Sequence, residues 1–232
     1  MKVFYHVITL RNKKYTYWYI FCSFVDSVFI LCLSDMTKAA QTRQFIIEQS
    51  AAVFNVKGYE NTSLSDIQKA TKLTKGAIYG NFADKNELAI AAYEYNSSLI
   101  INALKDWIGK ATSAKEALLA YPDFYVRNGQ VVFRKGGCPL MNAAVEADDH
   151  LHFMRSTVRK SMKQFLRLIQ DIIEQGQAKK EFKSKADAAT YAATIFSIME
   201  GSMLLAKVMN DTKYFQLAAD RIKLITMQEL LK

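Results

Sequence analysis

From Thr37 onward, apolar residues return at intervals of three and four: Phe45 and Ile46, then Ala52 and Val53 beside Gln49, as far as Lys57 and Gly58. That is the period of a helix with one packed face, and a glycine directly after a lysine predicts its stop. The next stretch, Tyr59 to Thr62, is short and polar. Ser63 then predicts an N-cap, with Asp66 three residues on in the capping-box position usually held by Glu or Gln. Ile67 and Ala70 supply the packed side of this second helix. Thr71, Lys72 and Leu73 form a turn before Thr74, which caps a third helix reading to Phe82, with Ile78 and Phe82 on its inner face. Helix, short turn and helix at this spacing predict a helix-turn-helix.

Five further helical stretches follow. Glu87 to Ile108 packs through Leu88, Ala91, Ala92, Tyr95, Leu99 and Leu104, and Ala114 to Arg127 follows it. Asn128 to Asn142, with Gly129, Gly136, Gly137 and Pro139, reads as a loop. From Leu151 to Gly176 the apolar positions Met154, Val158, Met162, Phe165, Ile169 and Ile172 recur regularly, opposite Arg155, Arg159, Lys160, Lys163 and Arg167. Such a basic face is either solvated or turned to an anionic partner. Ala186 to Lys207 alternates small with large residues, which permits close helix approach, and Tyr214 to Leu231 closes the series.

Residues 1–35 differ in kind, holding 9 of the chain's 28 aromatic residues. Between Tyr15 and Leu33, 15 of 19 residues are apolar, a length that could span a bilayer. Asp26 at the middle opposes insertion, and no small-x-small cleavage site follows for a signal peptide. Lys and Arg upstream would keep the amino terminus inside and export all that follows. The expectation is that 1–35 is an apolar extension outside the native protein, with translation starting at Met36. The alternative is a membrane-tethered helical sensor anchored by residues 15–33.

The chain of 232 residues carries 31 Lys and Arg against 22 Asp and Glu, a net charge of +9 that favours anionic partners. Regionally this changes meaning: residues 1–35 carry four basic against two acidic residues, 36–95 seven against six, and the remainder twenty against fourteen. The helix-turn-helix region is almost neutral, so global basicity does not mark the nucleic-acid site. With 2 Pro and 9 Gly there is too little punctuation for an all-β fold. Cys22, Cys32 and Cys138 give neither a disulfide framework nor a zinc spacing, and a reducing cytoplasm is expected.

Small Gly76 and Ala77 would let the third helix approach DNA closely, while Thr74, Lys75 and Tyr79 project as phosphate or base contacts with Lys85 downstream. Spacing alone equally allows an ordinary helical hairpin. Residues 37–90, however, resemble the DNA-binding domain of the TetR family of bacterial transcriptional regulators. Phe54, Gly58 and Tyr59, Thr62 and Ser63, Asp66 and Ile67, then Lys75, Gly76, Tyr79, Phe82, Lys85 and Leu88 fall in that family's register. The resemblance implies a recognition helix in the major groove, with Thr74, Lys75, Gly76, Ala77, Tyr79 and Asn81 as contacts and Ser63 and Lys85 on phosphates. Gly80 departs from the larger residue often found there. Gly136 to Asp149 more weakly resembles a Gly-Cys-x-x-x-Asn signature of some TetR-like ligand domains.

The resemblance implies an all-α protein: a helix-turn-helix DNA-binding domain at 36–84 and a larger helical effector-binding and dimerisation domain at 85–232. Its partners would be a palindromic double-stranded DNA operator, a small apolar effector, and a second copy of the chain through the two C-terminal helices. Tyr121, Phe124, Tyr125, Met141, Phe153, Met154, Phe165, Met199 and Met203 are the candidate effector lining, although stripes of this kind also make ordinary core. Glu146 and Glu200 interrupt apolar stretches and face either a cationic ligand or solvent. Cys138 reads as a structural thiol. No nucleophile, base and carboxylate constellation or metal spacing occurs, so neither enzymatic activity, metal nor cofactor is expected. A ligand-responsive repressor is the leading reading.

Overall fold

The computed structural model describes residues 37–232; the proposed extension, the membrane-anchor segment 15–33 and the start at Met36 lie outside the described residues. The chain divides into two compact units at Thr42 and Arg43. Of the first, Thr37 precedes and residues 38–42 open the helix Lys38–Lys57, and the Thr37 hydroxyl accepts the Ala40 N–H at 3.2 Å. All packing described below lies within the second unit.

The element order is α1 (Lys38–Lys57), α2 (Leu64–Thr71), α3 (Lys75–Tyr79), α4 (Lys85–Ile108), α5 (Ala114–Arg134), α6 (Pro139–Asp149), a 3₁₀ turn (His152–Met154), α7 (Arg155–Ala178), α8 (Ala188–Met209) and α9 (Lys213–Leu224), ending in a π turn (Ile225–Leu230). Among the described residues there is no strand, only an isolated bridge between Phe182 and Leu231. The fold is all-α, with an N-terminal helix-turn-helix domain and a C-terminal helical domain.

The signals at α2 act as the sequence predicts. The Ser63 hydroxyl accepts the Asp66 N–H while Asp66 reaches back to the Ser63 N–H, completing the capping box, an arrangement worth about 1 kcal/mol. The packed face of α1, by contrast, lies one position off the predicted one. Ile46, Ile47, Ser50, Ala51, Phe54 and Asn55 are buried, whereas Ala52 is exposed. Likewise, Leu99 on α4 is exposed while Tyr93, Ser97 and Ile101 are buried.

The largest correction concerns the loop expected at Asn128 to Asn142. Helix α5 continues to Arg134 and α6 begins at Pro139, leaving a connection of four residues. Gly129 lies inside α5 with Phe215 against it: a Cβ there would meet the ring at 2.2 Å, so the position leaves no room for a side chain. The turn is made by Gly136 and Gly137, whose φ angles of 96° and 90° lie in the region glycine tolerates. Pro139 then starts α6 in the first helical position, where its fixed φ suits the helix and its missing N–H costs nothing.

Helices α5, α7, α8 and α9 pack around a shared apolar interior, and α4 runs from the amino-terminal helices along α5. Helix α8 is long and apolar enough to cross a membrane by composition, yet it packs against α7 and α9 and buries Ala192, Ile195, Phe196, Met199, Met203 and Ala206.

Candidate nucleic-acid interface and its link to the helical body

Buried apolar side chains hold the amino-terminal helices: Phe54 stacks on Tyr59 with ring centroids 5.3 Å apart, and Ile67 and Ile78 are fully buried. Phe82 is buried too, and the Arg43 guanidinium lies 4.3 Å over its ring while donating to Glu87 at 2.6 Å. That arginine fixes the junction between α1 and the first turn of α4. Lys57 pairs with Asp66 at 2.7 Å, and this pair, with the Ser63 hydroxyl, holds the Asp66 carboxyl well below the usual carboxylate range.

On this frame the turn residue Lys72 adopts a left-handed conformation, φ 60°, and its N–H closes α2 on the Gln68 carbonyl. Thr74 caps α3 by accepting the Ala77 N–H at 3.2 Å. Helix α3 is shorter than the predicted run to Phe82, because Gly80 already serves as its C-cap. A Cβ at Gly80 would stand 3.2 Å from the Gly76 carbonyl oxygen, a tight approach.

The eight predicted DNA contacts fall into two groups. Thr74, Lys75 and Gly76 are exposed together at the start of α3, with Ala77 and Tyr79 partly exposed beside them. No atom lies within 4 Å of a Cβ built at Gly76, so this surface is open for a close backbone approach. The Lys75 ammonium sits 5.9 Å from the Tyr79 ring centroid. The other three already have internal partners. Ser63 is engaged with Asp66; Asn81 donates to the Ala77 carbonyl at 2.9 Å; Lys85 donates to the Glu60 carbonyl at 2.9 Å. Each rigidifies the turn it belongs to, and a phosphate contact from Lys85 requires exchange of that bond.

Sequence reasoning did not find the residues that tie these helices to the body. The Glu146 carboxylate on α6 accepts the backbone N–H of Tyr59 at 3.0 Å and of Glu60 at 2.8 Å. The partner it finds, the chain after α1, is neither the cationic ligand nor the solvent expected for that residue. Asn55 donates to the carbonyls of Lys135 and Gly137, while Asn142 donates to the Asn55 backbone and side-chain oxygens and to Gly136. Lys207 on α8 completes the cluster with 2.8 Å to the Gly136 carbonyl. The signal was present in the isolated polar residues of otherwise apolar stretches, but their partners lie more than sixty residues away.

Of the candidate effector residues, Tyr121, Phe124, Tyr125, Met154, Phe165, Met199 and Met203 are buried, and Met141 and Phe153 are partly buried and packed against the same core. They do not line either of two surface cavities, a groove of about 480 Å³ between α4 and α7 and one of about 240 Å³ between α6 and α7. Cys138, at the N-cap of α6, donates its thiol to Glu200 at 3.4 Å. Burial, then the Glu200 carboxylate, raises the Cys138 thiol well above its ordinary range, which keeps it an unreactive thiol at neutral pH. Burial also lifts the Glu200 carboxyl to about 7. No group of three or more His, Cys, Asp or Glu side chains that could hold a metal ion occurs among the described residues.

Residues 46–92 match the family described as bacterial regulatory proteins, tetR family, and residues 114–222 match the tetracyclin repressor-like C-terminal domain. A solved TetR-family transcriptional regulator from Cytophaga hutchinsonii is similar over 85% of this chain and 99% of its own, at 35% identity and a TM-score of 0.81. The A-factor receptor protein of Streptomyces griseus is 35% identical over 68 residues, and the HTH-type transcriptional regulator AcrR of Shigella flexneri 40% identical over 63. The two matches cover 29% and 27% of this chain, and the chain spans only 25% and 29% of those curated relatives.

Proposed function

This chain belongs to the TetR family of transcriptional regulators, and from that premise we propose that it is a repressor that binds a palindromic operator as a cytoplasmic homodimer and leaves it when a small effector enters the body. The observation that carries the reading is the exposed start of α3: Thr74, Lys75 and Gly76 stand clear of the protein while Ile78 and Phe82 anchor the same segment in the core. A helix so presented suits the major groove, with Tyr79 and Ala77 beside it and Ser63, Asn81 and Lys85 on flanking phosphates or bases.

The head comprises 36–84 and the effector and dimerisation domain 85–232. Dimerisation is supported by an apolar surface on the last two helices. Leu204, Leu205, Val208 and Met209 on α8 and Leu217 and Leu224 on α9 are each at least 45% exposed. A Cβ at Gly201 on the same helix meets nothing within 4 Å. Exposed aliphatic residues clustered on paired helices are unfavourable in water unless a partner covers them. Two heads about one helical turn apart then read two half-sites.

For release, the bonds from α6 to Tyr59, Glu60 and Asn55 supply the connection: a ligand that displaces α6 moves the heads away from operator spacing, shifting populations between two arrangements. The test is selection of bound fragments from random duplex DNA by the purified chain, followed by sedimentation with and without Val208→Asp. Enrichment of an inverted repeat, with a dimer that the substitution dissociates, is expected. Failure to enrich any sequence, or a monomer at micromolar concentration, overturns the reading.

A further inference from the structure

Helix α8 carries two charged side chains, Glu200 and Lys207. Lys207 is committed to Gly136 and Asn142. Among the described residues no cation pairs with Glu200. Its Oε1 accepts from Cys138, while its Oε2 is enclosed and finds no hydrogen-bond partner among them. The same holds for the hydroxyl of Tyr121 on α5. The two orphaned groups share one neighbourhood, since the Glu200 carboxylate, second to burial, raises the Tyr121 hydroxyl, and it acts on Tyr125 as well. Tyr121 and Tyr125 meet edge to face, with ring centroids 5.7 Å apart.

A buried carboxylate left without a charge partner is costly, and sites where such groups persist tend to be functional. Here the surroundings narrow the chemistry. Tyrosine rings offer cation–π attraction and the carboxylate offers the counter-charge, while Met199 and Met203 on the same helix are buried and adaptable in shape. An anionic ligand would be repelled by Glu200. A metal is disfavoured by the ligand set, one carboxylate beside one thiol held protonated.

We propose that Glu200 anchors the effector site and that the effector is a hydrophobic organic cation whose charged nitrogen pairs with this carboxylate. The proposal rests on the regulator reading above and adds the charge of the ligand to it. It also supplies the route to the head. Cys138, Asn142 and Glu146 are spaced by four residues, so they lie along one face of α6. The first touches Glu200, the second holds Asn55, and the third holds Tyr59 and Glu60. A cation that takes the carboxylate from the Cys138 thiol removes one of the bonds at the start of α6, and the face that carries Cys138, Asn142 and Glu146 shifts as a unit.

Three isosteric probes test this with the full chain: phenylbutylammonium, phenylbutanol and phenylbutanoate, titrated by calorimetry without DNA. The ammonium is expected to bind at least about tenfold tighter than the alcohol, a difference of about 1.4 kcal/mol, and the carboxylate weakest. Glu200→Gln is expected to bring ammonium and alcohol to equal affinity, with thermal melting recorded to show that the variant folds. Equal binding of ammonium and alcohol to the wild type, no binding of the ammonium, or a cation preference that survives Glu200→Gln each overturns the proposal. Operator selection in the absence of probe reads the regulator function separately, so failure of one is not failure of the other. Cys138→Ala is expected to keep ammonium binding while losing at least half of the probe's effect on operator affinity; an undiminished effect overturns the α6 route.

Discussion

Glu146 on α6 accepts the backbone N–H of Tyr59 at 3.0 Å across 87 positions of sequence, and the same carboxylate takes Glu60 at 2.8 Å. Gly58, with φ 91°, brings these amides within reach, and a Cβ there would press on the Glu146 oxygens at 3.1 Å. Two charge-assisted bonds, one of them exposed, are worth about 1–2 kcal/mol together. Glu146→Ala should therefore lower the melting temperature and speed hydrogen exchange at Tyr59 and Glu60. Unchanged exchange at both amides would show that the carboxylate is not what holds this turn.

Gly136 is constrained twice, by φ 96° and by the Asn55 carbonyl oxygen 2.6 Å from where a Cβ would sit. Since backbone is less able to give way than a flexible side chain, Gly136→Ala should destabilise the chain by about 2 kcal/mol or more. Gly201→Ala is the contrast, on open helix surface, and should leave the melting of the folded monomer unchanged or raise it by up to about 1 kcal/mol. Denaturant titration of the two variants side by side checks the pair, and equal effects would count against both assignments.

Lys75→Ala should weaken operator binding almost uniformly across sequences and reduce the salt slope of log affinity by about one, as expected for loss of one phosphate contact. Tyr79→Ala should weaken binding with a change in sequence preference. Both are surface changes on α3, so melting should shift by less than about 0.5 kcal/mol. Anisotropy titrations at three salt concentrations make the measurement; wild-type affinity in both variants would remove α3 from the interface.

Burial lifts the Glu200 carboxyl from its ordinary 4.5 to about 7. The folded chain thus keeps a proton that the unfolded chain has already lost, so the associated stability is complete below the unfolded value and is lost as pH rises through about 7. With allowance for the residue's partial exposure, the loss amounts to about 1–3 kcal/mol. Melting between about pH 5 and pH 8 should fall more steeply for the wild type than for Glu200→Gln. Parallel curves would assign the dependence to other groups.

Much of the head was legible in the sequence because its determinants are local. The Ser63 and Thr74 caps, the turn after α2, which starts at Lys72 rather than at Thr71, and the burial of Ile67, Ile78 and Phe82 each follow from residues within one or two turns of one another. Length and sharp edges were less accessible: α3 ends at Tyr79 with Gly80 as its C-cap, and α5 runs on through Gly129, where Phe215, far along the chain, fills the space a side chain would need.

Periodicity and caps, then, determined that the protein is helical, where a helix-turn-helix begins and which residues α3 presents. What the tertiary structure decided is the fate of isolated polar residues. Glu146, ambiguous along the chain, is a clamp on Tyr59 and Glu60, Asn142 a bond to Asn55, and Glu200 a buried carboxyl beside Cys138 and Tyr121. The physical reason is that a cap or a helical face is satisfied by near neighbours, whereas a lone polar group in an apolar segment takes its meaning from whichever partner the fold brings to it.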